Sequence, residues 1–335
     1  MAGLTLGRPG AGRRGPRFRG GRPVGRVVRR AARALPVVAG VVVLTFLLLH
    51  IIPGDSARQV LGNHATPEQV ARLRQKWGLD RSLAEQFGSF VTRLVTHGDT
   101  GNSLFYNMPT RSLIVPRIGV TLELVALAGV FCVLLTVPLA VWAAVRKDRL
   151  PDHLIRVIPA VGAGMPALWL GLLLIIVFSV RLHLFPVGGA GPGPWLTFRG
   201  LVLPAFTAAL AITPVLIRSL RAGLLEVLES DYIAAARARS LSEPRVLFVH
   251  AARNAVVPML TLLGLNLAYL VGGTVVVEQV FDIDGLGGLM FQSIGNRDFP
   301  VVQGIALFFA VVVVIVNLLT EALSALVDPR LRSRA

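Results

Sequence analysis

Apolar residues gather into six long runs along the chain, near 34–52, 119–145, 155–180, 201–220, 255–279 and 300–323. The hydrocarbon core of a bilayer is about 30 Å thick, and a helix crosses it in roughly 20 residues. Each run reaches or approaches that length and carries few charges. The pattern therefore predicts six transmembrane helices and an all-α integral membrane protein. It divides the chain into a tail (1–33), a first span (34–52), a loop (53–117), a five-helix core (118–325) holding a second loop at 221–254, and a closing tail (326–335).

Both loops carry helix signals of their own. In the first, Thr66-Pro67-Glu68-Gln69 is a capping box with proline at the first helical position. Val70, Leu73 and Trp77 follow on one face, and Gly78 stops the helix. Ser82 and Glu85 make a second box ahead of Leu83, Phe87, Phe90 and Leu94 at helical spacing. The pattern gives two short amphipathic helices, which either lie on the membrane surface and serve docking or pack on the chain's own spans. In the second loop, Ser230 or Asp231 begins a helix through Ala238-Arg239, Ser240-Leu241 breaks it, and Ser242-Glu243-Pro244-Arg245 starts another leading into the fifth span. A short alanine-rich helix between two spans offers a small, smooth face. It fits either a groove on another protein or a lipid headgroup surface facing its arginines.

Charge sets the topology. The chain has 335 residues, 34 of them Lys or Arg against 18 Asp or Glu, and a net charge of +16. Ten arginines and no acid lie in the tail, four basic residues at Arg146, Lys147, Arg149 and Arg156, six from Arg218 to Arg253, and three at the carboxyl end. Basic residues favour the cytoplasmic side of short loops, so both termini are expected there. This places the 53–117 loop outside and the 221–254 loop inside. Charge distributed in this way answers to membrane topology, and nucleic acid is not an expected partner. Arg29-Arg30 ahead of an apolar stretch has the look of a cleaved twin-arginine signal. The stretch from Leu35 to Ile52 nevertheless exceeds the roughly 7–15 apolar residues of such signals and reads as a retained span.

The chemistry that can be excluded is equally informative. Lys76 and Lys147 are the only lysines and neither follows a glycine, so the chain has no phosphate-binding P-loop and is not expected to be an enzyme. The single cysteine, Cys132, lies inside an apolar run, which leaves no disulfide or cysteine-based metal site within the chain. Acidic residues and histidines in the spans lie near their ends, among them His50, Glu123 and Glu321. Proton- or ion-driven carriers usually place such groups near the midplane, and intramembrane proteases need a Ser–His pair or two aspartates that these spans lack. Glu123 stands open to two readings, a polar pathway or a pairing at the outer interface. Gly162, Gly164 and Pro166 in the third run and Pro138 in the second mark close packing or kinks, and Gly264, Gly272 and Gly273 in the fifth mark close packing or a pathway.

The second loop also carries a resemblance. Asp231-Tyr232-Ile233-Ala234-Ala235-Ala236-Arg237-Ala238-Arg239-Ser240-Leu241-Ser242-Glu243, followed by His250-Ala251-Ala252-Arg253-Asn254-Ala255, resembles the cytoplasmic "EAA" loop of ABC importer permeases, in the variant of the dipeptide/oligopeptide/nickel family. Ile52-Pro53-Gly54-Asp55, Trp77-Gly78-Leu79-Asp80, Gly98-Asp99-Thr100-Gly101-Asn102-Ser103 and Thr121-Leu122-Glu123-Leu124 are similar to that family's opening segment. Pro166-Ala167-Leu168-Trp169-Leu170-Gly171, Val277-Glu278-Gln279-Val280-Phe281, Gly285-Leu286-Gly287, Asn317-Leu318-Leu319 and Asp328-Pro329-Arg330 follow in the family's order. The similarity runs over about 34–332 and is closest to the first-permease type.

The resemblance implies a permease subunit of a binding-protein-dependent importer in a bacterial cytoplasmic membrane. It would form half of a translocation pathway with a homologous second permease, beside two ABC ATPase subunits and an outer solute-binding protein. ATP and magnesium would belong to the ATPases, with no cofactor in this chain. The expected solutes are di- or oligopeptides, with nickel complexes or another solute of the family as the alternative. A self-contained carrier or channel is the reading from a different class. Asp231, Tyr232, Ala235, Ala236, Arg239, Ser240 and Leu241 are the expected ATPase-docking residues. Asp231 and Tyr232 would fix the start of the docking helix, Ala235 and Ala236 its contact face, and the last three the turn. Where the family usually has glycine, this chain has Ser240. Either the turn avoids the left-handed conformation that favours glycine, or the chain accepts a strain of about 1 kcal/mol.

Overall fold

The computed structural model describes residues 35–47, 56–61, 65–189, 191 and 193–327. The tail at 1–33, His50, the segment Ile52-Pro53-Gly54-Asp55 and the closing Asp328-Pro329-Arg330 lie outside the described residues. Apart from one isolated bridge between Asn102 and Pro109, the described chain is helices and turns.

A helix at Leu35–Leu47 (α1) opens the described chain, followed by α2 at Ser56–Leu61. Both capping boxes then form. Thr66 accepts the Gln69 N–H while the Gln69 side chain accepts the Thr66 N–H at the start of α3 (Pro67–Trp77). Ser82 and Glu85 do the same for α4 (Leu83–His97). Gly78 and Gly98, at φ of +70° and +60°, close α3 and α4 in the left-handed geometry that glycine adopts without a Cβ clash. The inner face of α4 buries Phe90 against Phe46 of α1 and Leu307, with Phe87 edge-on to Phe46. The amphipathic α4 thus packs on the chain's own apolar helices.

The core consists of α5 (Thr110–Val145), α6 (Leu150–Ala163), α7 (Ala167–Leu174, continued by a π-helical segment Ile175–Arg181), α8 (Pro194–Leu228), α11 (Ala252–Val280) and α13 (Phe299–Val327). Short helices α9 (Asp231–Ala238) and α10 (Glu243–Arg245, continued by a π-helical segment Val246–Ala251) lie between α8 and α11, and α12 (Leu286–Gly295) precedes α13. Four helices, α5, α8, α11 and α13, are long and apolar enough to cross a membrane, and α6 with α7 makes a bent fifth. The continuous third span expected at 155–180 is instead broken, with α6 and α7 meeting at 105°. The sequence Gly162-Ala163-Gly164-Met165-Pro166 explains the break, because Pro166 has no N–H for the helix and two glycines weaken the preceding turn. Pro138, by contrast, sits inside an unbroken α5.

The centre of the bundle is α5 packed along α8, with α11 beside both. Leu124, Ala128, Leu201, Ala205, Leu270 and Phe281 form one buried cluster, and Ala140, Ala143, Ile217, Leu220 and Leu224 another toward the opposite end. The glycines of α11 separate into two uses. A Cβ on Gly264 would lie 2.1 Å from Thr320 Oγ1, so that glycine lets α13 approach, whereas Gly272 and Gly273 have nothing within 4 Å.

Two buried carboxylates fasten distant parts of the chain together. Glu278 on α11 accepts from Thr121 Oγ1 (2.8 Å) and from the N–H groups of Gly287 (2.7 Å) and Gly288 (3.1 Å), while Thr121 Oγ1 accepts the Leu286 N–H (2.8 Å). The carboxylate therefore caps the first turn of α12, where unpaired N–H groups and the helix dipole favour negative charge. Asp298, fully buried ahead of α13, accepts from the Ser103 hydroxyl and from the Leu104 N–H (3.0 Å). It ties the segment after α4 to the end of α12.

Candidate functional site

The candidate site grows from the end of α8. Ser230 adopts the extended backbone of an N-cap, but its hydroxyl donates back to the Val227 carbonyl and makes no side-chain cap. Asp231 supplies the negative charge that a first helical turn favours. One side of α9 is spoken for: Ile233 is fully buried and Ala236 nearly so, both packed with Val246, Val227, Leu228 and Leu241. The helix is thus seated at once on the end of α8 and on the π-helical entry to α11. The opposite side, with Asp231, Tyr232, Ala235 and Arg239, is exposed.

This geometry separates two residues that the sequence grouped together. Ala235 lies on the open face, whereas Ala236 faces the chain's own core. Ile233 carried the relevant signal. One turn before Ala236 and the only large aliphatic residue of α9, it marks the inward face at i, i+3 spacing.

At the carboxyl end of α9, Ser240 has φ of +57°. The Ser240 N–H donates to the Arg237 carbonyl (2.9 Å) and the Leu241 N–H to the Ala236 carbonyl (3.4 Å). Leu241 also packs on the cluster containing Ala236. These bonds and this contact are those of a Schellman motif. The chain therefore accepts the left-handed strain at Ser240. Ser240→Gly is expected to raise the unfolding free energy by about 1 kcal/mol. A thermal unfolding comparison checks this, and an unchanged or lower transition would contradict it.

Arg237 closes the loop by bidentate pairing with Glu243 (2.8 and 3.1 Å). Its guanidinium holds the Glu243 carboxyl below the usual carboxylate range. The closure is therefore present at neutral pH and is lost only as acid titrates Glu243 through that lowered value. Lys147, between α5 and α6, reaches Glu229 beside the N-cap of α9 at 2.5 Å.

Two turns before the end of α8, Arg221 forks onto buried Asp152 of α6, both contacts at 2.6 Å. The sequence reading missed Asp152. Its signal is an acid in the first turn of a helix that otherwise exposes apolar and basic residues.

Glu123 lies on the exposed side of α5 and makes no hydrogen bond or ion pair among the described residues. The exposed side of α11 carries Tyr269, 81% exposed, and Gln279, neither with a side-chain partner among the described residues. Among the described residues no three His, Cys, Asp or Glu side chains gather as a metal site.

Comparison with known proteins gives the arrangement its family. Residues 136–333 match the family model described as binding-protein-dependent transport system inner membrane component, and residues 24–125 match that family's N-terminal model. The chain is 40% identical over 309 residues to a Brucella abortus (strain 2308) protein that carries a peptide transport system permease name, covering 91% of this chain and 98% of that one. It is 36% identical over 306 residues, with the same coverage, to the glutathione transport system permease protein GsiC of Salmonella typhimurium (strain LT2). The fold is similar to a chain of the inward-facing MetNI methionine ABC transporter at a TM-score of 0.53 and 18% identity, covering 64% of this chain and 96% of that chain. With apolar helices that cross the membrane several times, an ABC-transporter permease fold and a family match over most of its length, the chain belongs to the binding-protein-dependent transport system inner membrane components.

Proposed function

We propose that this permease forms half of the translocation pathway of an ABC importer for di- or oligopeptides. A second, homologous permease would supply the other half. Two ATPase subunits would seat the exposed side of α9, and a solute-binding protein would deliver the peptide from the opposite face of the membrane. The peptide assignment rests on the relatives' names. The distribution of basic residues supports a cytoplasmic position for α9 and for both termini.

The observation that carries the mechanism is the double seating of α9. Its buried side, Ile233 and Ala236, packs on both the end of α8 and the entry to α11. Its open side, Asp231, Tyr232, Ala235 and Arg239, is exposed and would fit a groove on an ATPase. Closure of the ATPase pair on ATP would move α9, and α9 cannot move without carrying the ends of two membrane helices. The bundle then switches between two states that nucleotide and loaded binding protein stabilise differently. Hydrocarbon offers no partner to a carboxylate, phenol or amide. Tyr269 would therefore face the second permease or the aqueous path rather than lipid, and Glu123 would face that path or pair at the outer interface.

The test is purification of the tagged chain in mild detergent, followed by an ATPase assay with and without peptide-loaded binding protein. The expected result is co-purification of a second permease and ATPase chains, with hydrolysis that rises on adding the loaded protein. A chain that purifies alone and moves solute in liposomes without ATP would replace this reading with a self-contained carrier or channel. A chain whose complex responds only to a nickel-loaded binding protein would replace the substrate.

A further inference from the structure

The cytoplasmic side of the bundle, as the proposed topology places it, holds a basic group that no part of the transport reading uses. Asp152 on α6 is fully buried and faces two arginines. Arg221 takes both of its oxygens at 2.6 Å, and the Asp148 N–H adds a further bond at 3.0 Å. Arg156, one turn along α6, is left with a single 3.6 Å approach to the same carboxylate and remains 40% exposed. One negative charge is thus shared between two guanidiniums, and the surplus positive charge sits on Arg156.

Arg156 Nη2 lies 2.7 Å from His153 Nδ1. An imidazole that accepts at Nδ1 carries its proton on Nε2, so the pair presents N–H donors from both residues. They open onto a shallow, largely open groove of about 700 Å³ along one face of α6, lined by His153, Arg156, Val157, Ala160 and Val161. The rim is basic and the floor is aliphatic.

Depth in the membrane identifies what such a groove holds. On α8, Arg199 and Arg218 bracket Gly200–Ile217, 18 residues without a charge. That run is about 27 Å long at 1.5 Å per residue, close to the thickness of the hydrocarbon core. Arg221, one turn beyond Arg218, lies at the boundary, and its fork onto Asp152 fixes the start of α6 at the same level. The groove therefore begins at headgroup depth and continues from there along Val157, Ala160 and Val161.

We infer that this groove is a binding site for one anionic phospholipid, whose phosphate sits on Arg156 and His153 and whose acyl chain follows α6. Guanidinium–phosphate pairing is strong and directional, and an anionic headgroup supplies the charge that Asp152 leaves uncompensated. The chain's own Arg-rich tail is the wrong sign to fill it.

The test is native mass spectrometry of the purified transporter complex exchanged into micelles containing dioleoyl-phosphatidylglycerol or dioleoyl-phosphatidylcholine. The wild-type complex is expected to retain phosphatidylglycerol at least fivefold over phosphatidylcholine. Arg156→Gln is expected to abolish that preference, and Val157→Trp to lower retention of both lipids by filling the groove. Arg149→Gln, which removes an exposed arginine outside the groove, is expected to leave the preference intact and so controls for net charge. Equal retention of the two lipids by wild type, or an unchanged preference in Arg156→Gln, would overturn the site. Displacement of the lipid by millimolar inorganic phosphate would overturn the lipid assignment in favour of a free anion. A complex that unfolds on Arg156→Gln is distinguished by loss of ATPase activity, and Val157→Trp then carries the test.

Discussion

Tryptophan at position 235 is expected to abolish nucleotide-driven uptake while leaving the chain folded and inserted. Ala235 is on the exposed side of α9, and an indole there has room in the isolated chain. On the docking proposed above, it would have none in an ATPase groove shaped for a methyl group. A loss on the order of 2–4 kcal/mol, the scale of an interface hot spot, corresponds to roughly 30- to 700-fold weaker ATPase association. The neighbouring substitution should fail differently. Ala236 is packed against Val246 and Leu241, so Ala236→Trp must displace α9 from its seat and lower stability, overpacking costing about 1–3 kcal/mol. Uptake, co-purification of ATPase chains and unfolding temperature measured on both variants separate the two effects. Normal uptake with Ala235→Trp would remove α9 from the coupling mechanism.

Glu278→Ala is expected to be the most damaging single change to the fold. The carboxylate pairs with three buried donors, on Thr121, Gly287 and Gly288. An unsatisfied buried donor costs about 1–3 kcal/mol, so a combined loss of about 3–5 kcal/mol is expected. At roughly 2–4 °C per kcal/mol this lowers the unfolding temperature by about 10 °C. Glu278→Gln keeps the volume and one acceptor but turns an NH₂ toward donors, and should fall between. Cys132 is the chain's single cysteine and is fully buried, so its reactivity toward a fluorescent maleimide reports the unfolding directly. Unchanged transitions in Glu278→Ala would show that α12 does not depend on this carboxylate.

The same residues show where sequence reading succeeds and where it stops. Long apolar runs are legible because the bilayer imposes a length and composition on each, and the capping boxes are legible because they are local. The break at 163–166 was written in Gly164 and Pro166. Composition alone nevertheless treats it as a kink, since a proline such as Pro138 is tolerated inside the unbroken α5. The helix α12 has glycines at 287, 288 and 295 and weak intrinsic helicity. It is held by Glu278 and by the close approach to α11 that Gly287 permits, where a Cβ would lie 2.5 Å from Val275 Cα. Neither contact has a sequence period. Glu278 meets Thr121 across 157 positions, and Asp152 meets Arg221 across 69. The start and end of α9 were legible in Asp231 and in the Ser240-Leu241 break, but its inward face was obscured because alanine occupies both sides.

The bond network of Asp298 imposes an order on how the chain is made. Ser103 and Leu104 leave the ribosome nearly 200 residues before the carboxylate that fixes them. While α5 to α12 are being inserted, the Ser103 hydroxyl and the Leu104 N–H lack the carboxylate that accepts them in the finished bundle, and local bonds alone hold the segment. Closure of that segment thus marks completion of the bundle. A chain halted before residue 298 should remain open to added protease near residues 99–109, whereas the finished chain should be protected there.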